Sequence, residues 1–197
     1  MLLLTAVAAV IVSGIEPHDR LTWLLEVAPI LIFFPILAAT HARFPLTPLV
    51  YRLIFVHAFI LILGAHYTYE QVPLGRWAQS ALDLERNHYD RLGHFAQGFV
   101  PAMIAREVLS RRSPLKGSGW LFFVVVSFCL AFSAFFEMVE WGAAISLGAD
   151  ADAYLATQGD PWDTQWDMFM ALVGSITAPL ALGRIQDRQI QAYLRGA

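Results

Sequence analysis

Asp90, His94 and Gln97 fall at i, i+4 and i+7 and so share one face of a helix. Asp160, Asp163 and Asp167 share a face if a helical turn starts at Asp160, and Glu137 and Glu140 stand three apart. Carboxylates with an imidazole form a hard oxygen and nitrogen donor set suited to Zn, Mn, Mg or Ca. A metal held this way activates water for attack on an ester or phosphoryl bond. Without metal, the same groups offer a histidine and a glutamate for acid–base work or proton relay. The expected divalent-metal ligands are His94, Glu137, Asp163 and Asp167, and the expected catalytic groups are His94, Glu137, Asp167, Asp90 and Glu140. Substrate contacts are expected from Arg91, His66, Tyr67, Tyr69, Gln97, Gln158 and Trp141, with Arg91 meeting a phosphate or steadying the carboxylates. No HExxH, CxxC or GxSxG signature accompanies these residues, so the pattern defines a polar site more firmly than a metal hydrolase.

Each group also has a purely structural role open to it. Asp90, Asp160 and Asp163 are positioned to cap first helical turns. His66, Tyr67, Tyr69, Trp77, Trp141, Trp162 and Trp166 suit an interfacial aromatic belt. Arg91 suits a partner for Glu137, Glu140 or one of Asp160, Asp163 and Asp167, and His57, inside "LIFVHAFIL", suits a helix-to-helix hydrogen bond. His94, Glu137 and Asp167 lie a turn or more inside apolar runs, beyond easy capping, and are the residues hardest to assign to structure alone.

The elements that must position them are set by composition. The chain has 197 residues, of which 57% are hydrophobic and 15% charged, against about 25% charged in a soluble domain. Mean hydropathy is +0.55. Apolar runs at about 2–15, 21–40, 48–66, 90–109, 119–142 and 162–183 predict an all-α polytopic membrane protein, six transmembrane helices in a compact bundle. One domain over 1–183 and a short basic tail over 184–197 follow. The first run lacks a basic leader and the next follows closely, so it reads as a retained helix. Net charge is -3, which offers no basic field for nucleic acid. Cys129 is the single cysteine and reads as a packing residue.

Orientation follows from the basic residues. With the N-terminus inside, Arg43, Arg52, Arg106, Arg111, Arg112, Lys116, Arg184, Arg188 and Arg195 lie on or near the cytoplasmic side. Arg20, Arg76, Arg86 and Arg91 lie outside, and the acidic stretch "GADADAYLATQGD" lies outside with them, which predicts N-in and C-in. The ends of spans 3 and 5 and the starts of spans 4 and 6 then meet at one membrane face. Gly93 and Gly98 are small enough to let span 4 approach another helix closely.

The stretches "DRLTWLLEVAPIL", "RFPLTPL", "LGAHYTYEQVPLG", "RNHYDRLGHFAQGFVPAMIAREVL", "SAFFEMVEW" and "TQGDPWDTQWDMFMALVGS" resemble those of the YjdF-type bacterial inner-membrane proteins. The resemblance covers most of the chain and implies a multi-pass inner-membrane protein, while leaving activity open. A looser likeness is to the VanZ-like membrane proteins, carried by Asp90, Arg91 and His94, then Glu137, then Asp163, Asp167 and Gly174. It implies a role at the cell envelope.

The functional expectation is an envelope enzyme, a hydrolase or transferase, acting on a lipid head group or lipid-linked substrate at the outer leaflet, with membrane lipids as partners. The competing readings are a small transporter or proton-coupled permease, and a non-catalytic membrane scaffold.

Overall fold

A computed structural model describes residues 1–148 and 152–196. Among the described residues the chain is all-helical, in the order α1 (Leu2–Ser13), α2 (Arg20–His41), α3 (Pro48–Tyr67), a 3-10 turn (Tyr69–Gln71), α4 (Pro73–Ala81), α5 (Tyr89–Arg112), α6 (Gly119–Leu147), α7 (Asp152–Leu155) and α8 (Asp163–Gly196). Part of the acidic stretch, residues 149–151, lies outside the described residues.

Local chemistry sets the helix starts. Asp19 accepts from the Thr22 amide at 2.7 Å, capping α2, and this hydrogen bond holds the Asp19 carboxyl below its usual pKa. Pro48 opens α3, where its missing N–H costs nothing. Asn87 Oδ1 accepts from the Tyr89 amide at 2.9 Å and opens α5. The sequence alone did not indicate α4, α7 or the 3-10 turn. They are short and polar enough to read as loop.

Four helices, α2, α3, α6 and α8, are long and apolar enough to cross a membrane. Helix α1 has 12 residues, about 18 Å of rise against about 30 Å of hydrocarbon. Helix α5 has 24 residues, about 36 Å, but carries Asp90 and Arg91 at one end and Arg106, Glu107, Arg111 and Arg112 at the other. Its place in the bundle accounts for this polarity: α5 packs most extensively on α8 and also contacts α3 and α6, which shield it. Helices α1 and α2 both pack on α3, so the molecule has an α1–α2–α3 layer and an α5–α6–α8 layer joined through the α3–α5 contact. A core of Val50, Ala102, Met103, Val125, Cys129 and Ala178 fills the space where α3, α5, α6 and α8 meet. Large apolar side chains such as Ile32, Phe123, Phe135 and Leu180 remain exposed on the outer faces, as lipid contact requires.

The predicted boundary at residue 184 falls inside a continuous helix. Helix α8 runs to Gly196, and its last turns carry part of a second polar network. Glu107, fully buried, accepts from the Thr47 amide at 2.8 Å, the Thr47 hydroxyl at 2.7 Å and Arg111 at 2.9 Å. Gln186 donates to the Met103 carbonyl at 2.7 Å, and Arg106 grips Asp187 through both carboxylate oxygens at 2.9 Å. Both Glu107 oxygens are satisfied. The network ties the start of α3 to the late turns of α5 and α8.

Candidate functional site

The other end of α5 is built differently. Its first two turns present Asp90 and His94, each less than a tenth exposed, toward α8 and α6. Close packing makes this approach geometrically possible. A Cβ on Gly98 would overlap the Ala171 carbonyl of α8, and a Cβ on Gly174 would overlap the Phe95 carbonyl of α5. With glycine at both positions the two backbones touch, and Asp167 is carried against Asp90 and His94.

Asp90, His94 and Asp167 each offer a ligand atom within 4.8 Å of the others. His94 Nε2 lies 3.5 Å from Asp90 Oδ1, and His94 Nδ1 lies 2.9 Å from Gln97 Oε1 and 3.7 Å from Glu137 Oε1. Nδ1 meets the Gln97 amide oxygen, and Nε2 is left facing Asp90. Phe136 packs edge-on against the His94 ring and fixes its plane. Two buried oxygens, Glu137 Oε1 and Asp167 Oδ1, have no hydrogen-bond partner among the described residues, although Glu137 is 7% exposed and Asp167 only 2%. Left uncompensated, each such oxygen costs about 1–3 kcal/mol, and more when charged.

Asp163 belongs to a different cluster. Arg86 reaches its Oδ1 at 2.7 Å, Asp160 Oδ2 at 3.2 Å and the Ala156 carbonyl at 3.3 Å. Arg91 meets Asp160 Oδ2 at 2.9 Å and stacks over Trp166, so its partner is Asp160 rather than Glu137 or Glu140. Asp160 itself precedes α8, which starts at Asp163, and accepts from the Trp162 amide at 2.9 Å. Asp163 was expected as a metal ligand; its Oδ1 is engaged by this guanidinium, and the residue that groups with His94 and Asp167 is Asp90. Beside the two arginines, burial first and then Arg91 and Arg86 hold the His88 imidazole below its usual pKa.

The remaining expected residues divide. Tyr69 is buried with its ring between Gly64 of α3 and Gly93 of α5. Gln97 and Glu140 line a groove beside the centre. Gln158 instead holds both backbone polar groups of Asn87, at 3.0 and 2.9 Å. His66 turns to the Ser13 carbonyl of α1 at 2.8 Å, with Tyr67 stacked edge-on against it, and so faces away from the centre. Trp141 is 67% exposed on the outer surface. His57 also lines the groove, and its Nε2 has no partner among the described residues, contrary to the expected helix-to-helix bond.

Glu26 of α2 was not anticipated. It is 5% exposed and lines the groove together with Asp90, His94 and Glu140. A lone carboxylate in the apolar run "LLEVAPIL" was the available signal, since a charge inside a transmembrane segment defaults to a functional role. Over this end lie α7 and the segment leading into α8. Tyr154 is 3% exposed, and burial, followed by Glu140, Glu26 and Glu137, drives its phenol far above the usual pKa, so it stays protonated as a donor.

The comparisons with known proteins agree with a membrane location. The family model described as DUF2238, "Predicted membrane protein", matches residues 1–188. The chain belongs to the DUF2238 family. It is also 50% identical over 190 residues to "Inner membrane protein YjdF" of Escherichia coli (strain K12), covering 96% of this chain and 91% of that protein. No solved structure matches. This DUF2238 member is a multi-helix protein of the inner membrane, with four helices able to span it.

Proposed function

We propose that the chain is an envelope enzyme, a metal-dependent hydrolase or transferase acting on a lipid head group or lipid-linked substrate at the outer leaflet. In this reading it crosses the membrane six times with both termini inside, α5 spanning as a shielded member of the bundle and α1 as a short, lipid-exposed outer span packed on α3. The nine-to-four split of basic residues supports that orientation. The pattern shared with VanZ-like proteins agrees with an envelope role.

The observation that carries the reading is the pair of orphaned oxygens, Glu137 Oε1 and Asp167 Oδ1, beside the Asp90–His94 contact. A bundle that merely needed a polar lock would satisfy its carboxylates, as this one does at Glu107. Unspent carboxylate oxygens beside an imidazole nitrogen are the kind of donor set a divalent cation takes. Asp90, His94 and Asp167 would hold the ion, which when bound supplies an activated water. Glu137 would take the proton released as that water attacks a phosphoryl or ester bond, and the departing alcohol would take it back.

The test is metal content and affinity of purified protein, with Mn²⁺ as the probe. Wild type should bind about one equivalent per chain, and Asp167→Asn and His94→Ala should each weaken binding about 10–100-fold. A protein that takes up no Mn²⁺, Zn²⁺ or Mg²⁺, and whose variants keep every wild-type property, removes the proposal and leaves the scaffold reading.

One observation favours transport as the second reading. The groove at Glu26 and Asp90 continues past His57 and Gln97 to Thr40 and Arg112, so polar groups do recur toward the other membrane face. Proteoliposomes showing pH-driven solute flux would put that reading first.

A further inference from the structure

We propose that the groove between α2 and the α5–α6 pair holds one hydrocarbon chain of a membrane lipid, entering sideways between α2 and α6, with its polar head at Asp90 and His94. The inference rests on reading that polar centre as a head-group site.

The groove encloses about 600 Å³, within the range of sites that bury a small ligand. It exists because α2 leans on α3 and meets α6 mainly through the edge-to-face pair Phe33–Phe132. Its walls are mainly apolar, with His57 and Gln97 along the way and Thr40 and Arg112 at the far end, and its acids, Glu26, Asp90 and Glu140, are gathered at the other. A uniformly polar solute would strand its polar groups against such walls, at several kcal/mol each. A lipid matches both parts.

Length points the same way. Along α2 the lining runs from Glu26 to Thr40, about 21 Å of helix rise. One leaflet supplies about 15 Å of hydrocarbon, so the groove accepts a chain that reaches past the bilayer midplane.

Access is also defined. On the aqueous side Arg86 ties Asp160, Asp163 and the Ala156 carbonyl to the lead-in of α5, and Tyr154 and Ala156 are almost fully buried beneath. On the lateral side Phe33, Ile36 and Phe128 line the groove yet are half exposed. The open flank therefore faces lipid. The groove-facing acids call for a cation at the head, so a phosphate head would arrive bridged by a divalent ion and an amine head would bind directly.

The experiment uses the full chain in phosphatidylcholine vesicles with Mn²⁺ and hexadecyl phosphate bearing a terminal diazirine. After irradiation, labelled peptides are mapped. Label should concentrate at least about tenfold on the walls around Ile54 and Ile104 over the outer surfaces around Ile145 and Leu180. Two groove-filling variants, Ala105→Trp inside and Ile36→Trp at the exposed rim, should each cut wall labelling at least about fivefold without lowering Tm. The rim variant stands if the interior one fails to fold. Wall labelling that persists after chelation, or that appears only with hexadecylamine carrying the same diazirine, sustains the chain site and overturns the metal centre. Label spread evenly over the outer surfaces, or unchanged in both tryptophan variants, overturns the chain site.

Discussion

Gly98 of α5 rests directly against the backbone carbonyl of Ala171 in α8, so that even a single added methyl group would overlap the oxygen. The carbonyl is main chain and cannot rotate aside. Gly98→Ala and Gly174→Ala should therefore force the helices apart, at about 1–3 kcal/mol each. Both should lower the melting temperature in detergent and weaken Mn²⁺ binding, because Asp90 and Asp167 ride on the separated helices. Gly183→Ala is the control: its Cβ would lie 3.5 Å from Arg106, an ordinary contact, and alanine favours helix by up to about 1 kcal/mol.

The polar clusters packed against the two ends of α5, one holding Glu107 and the other Asp167 of α8, should respond in opposite ways to loss of a carboxylate. Glu107→Ala leaves Arg111 and the Thr47 amide and hydroxyl without their acceptor, at a cost of about 3–5 kcal/mol. Asp167→Asn removes charge from an oxygen that nothing in the described chain pairs with, so stability in the absence of metal should hold or rise. Thermal unfolding of both variants, with and without Mn²⁺, checks this. Equal destabilisation by the two substitutions would argue against a binding centre.

Arg86→Ala should loosen the cover on the aqueous side. It removes the guanidinium from Asp163 and the Ala156 carbonyl, at about 3 kcal/mol or more for the unpaired Asp163, while Asp160 keeps Arg91. Limited proteolysis should then cut within residues 152–160 faster than in wild type, while the α3–α5 junction around Thr47 stays resistant.

His88 predicts a pH effect. Its folded pKa lies below the ordinary value of 6.5, through burial and then Arg91 and Arg86, so the unfolded chain binds the proton more readily. The corresponding stability is fully present above about pH 6.5 and is lost as pH falls toward and through the lowered folded value. The difference in Tm between wild type and His88→Gln should shrink, or reverse in favour of the variant, as pH drops from 7.5 to 5.5. A difference constant across that range rejects the assignment.

Asp90, His94 and Asp167 were legible before any coordinates because helical spacing puts Asp90 and His94 on one face, and alternating spans return Asp167 to the same level. Gly98 was legible as a close-contact position, though its partner was not. The pairing of Asp163 with Arg86 was not legible for a definite reason: Arg86 sits in an irregular stretch whose path depends on Asn87 and Gln158, and no periodicity reports such a path. The contact of His66 with Ser13 was hidden in the same way, since it depends on how α1 lies on α3. Glu26 could be seen as an oddity but not placed, because hydropathy gives the depth of a residue and not the neighbour it faces.

Thr47 and Glu107 stand 60 positions apart, and the amide at the start of α3 is completed only by the acid near the end of α5. During synthesis the first three helices therefore reach the bilayer with an unfinished seam, and it closes when the fifth arrives carrying Glu107. Biogenesis of this protein has an obligatory wait built into it, and a ribosome stalled before residue 107 should leave an assembly that quality-control proteases recognise.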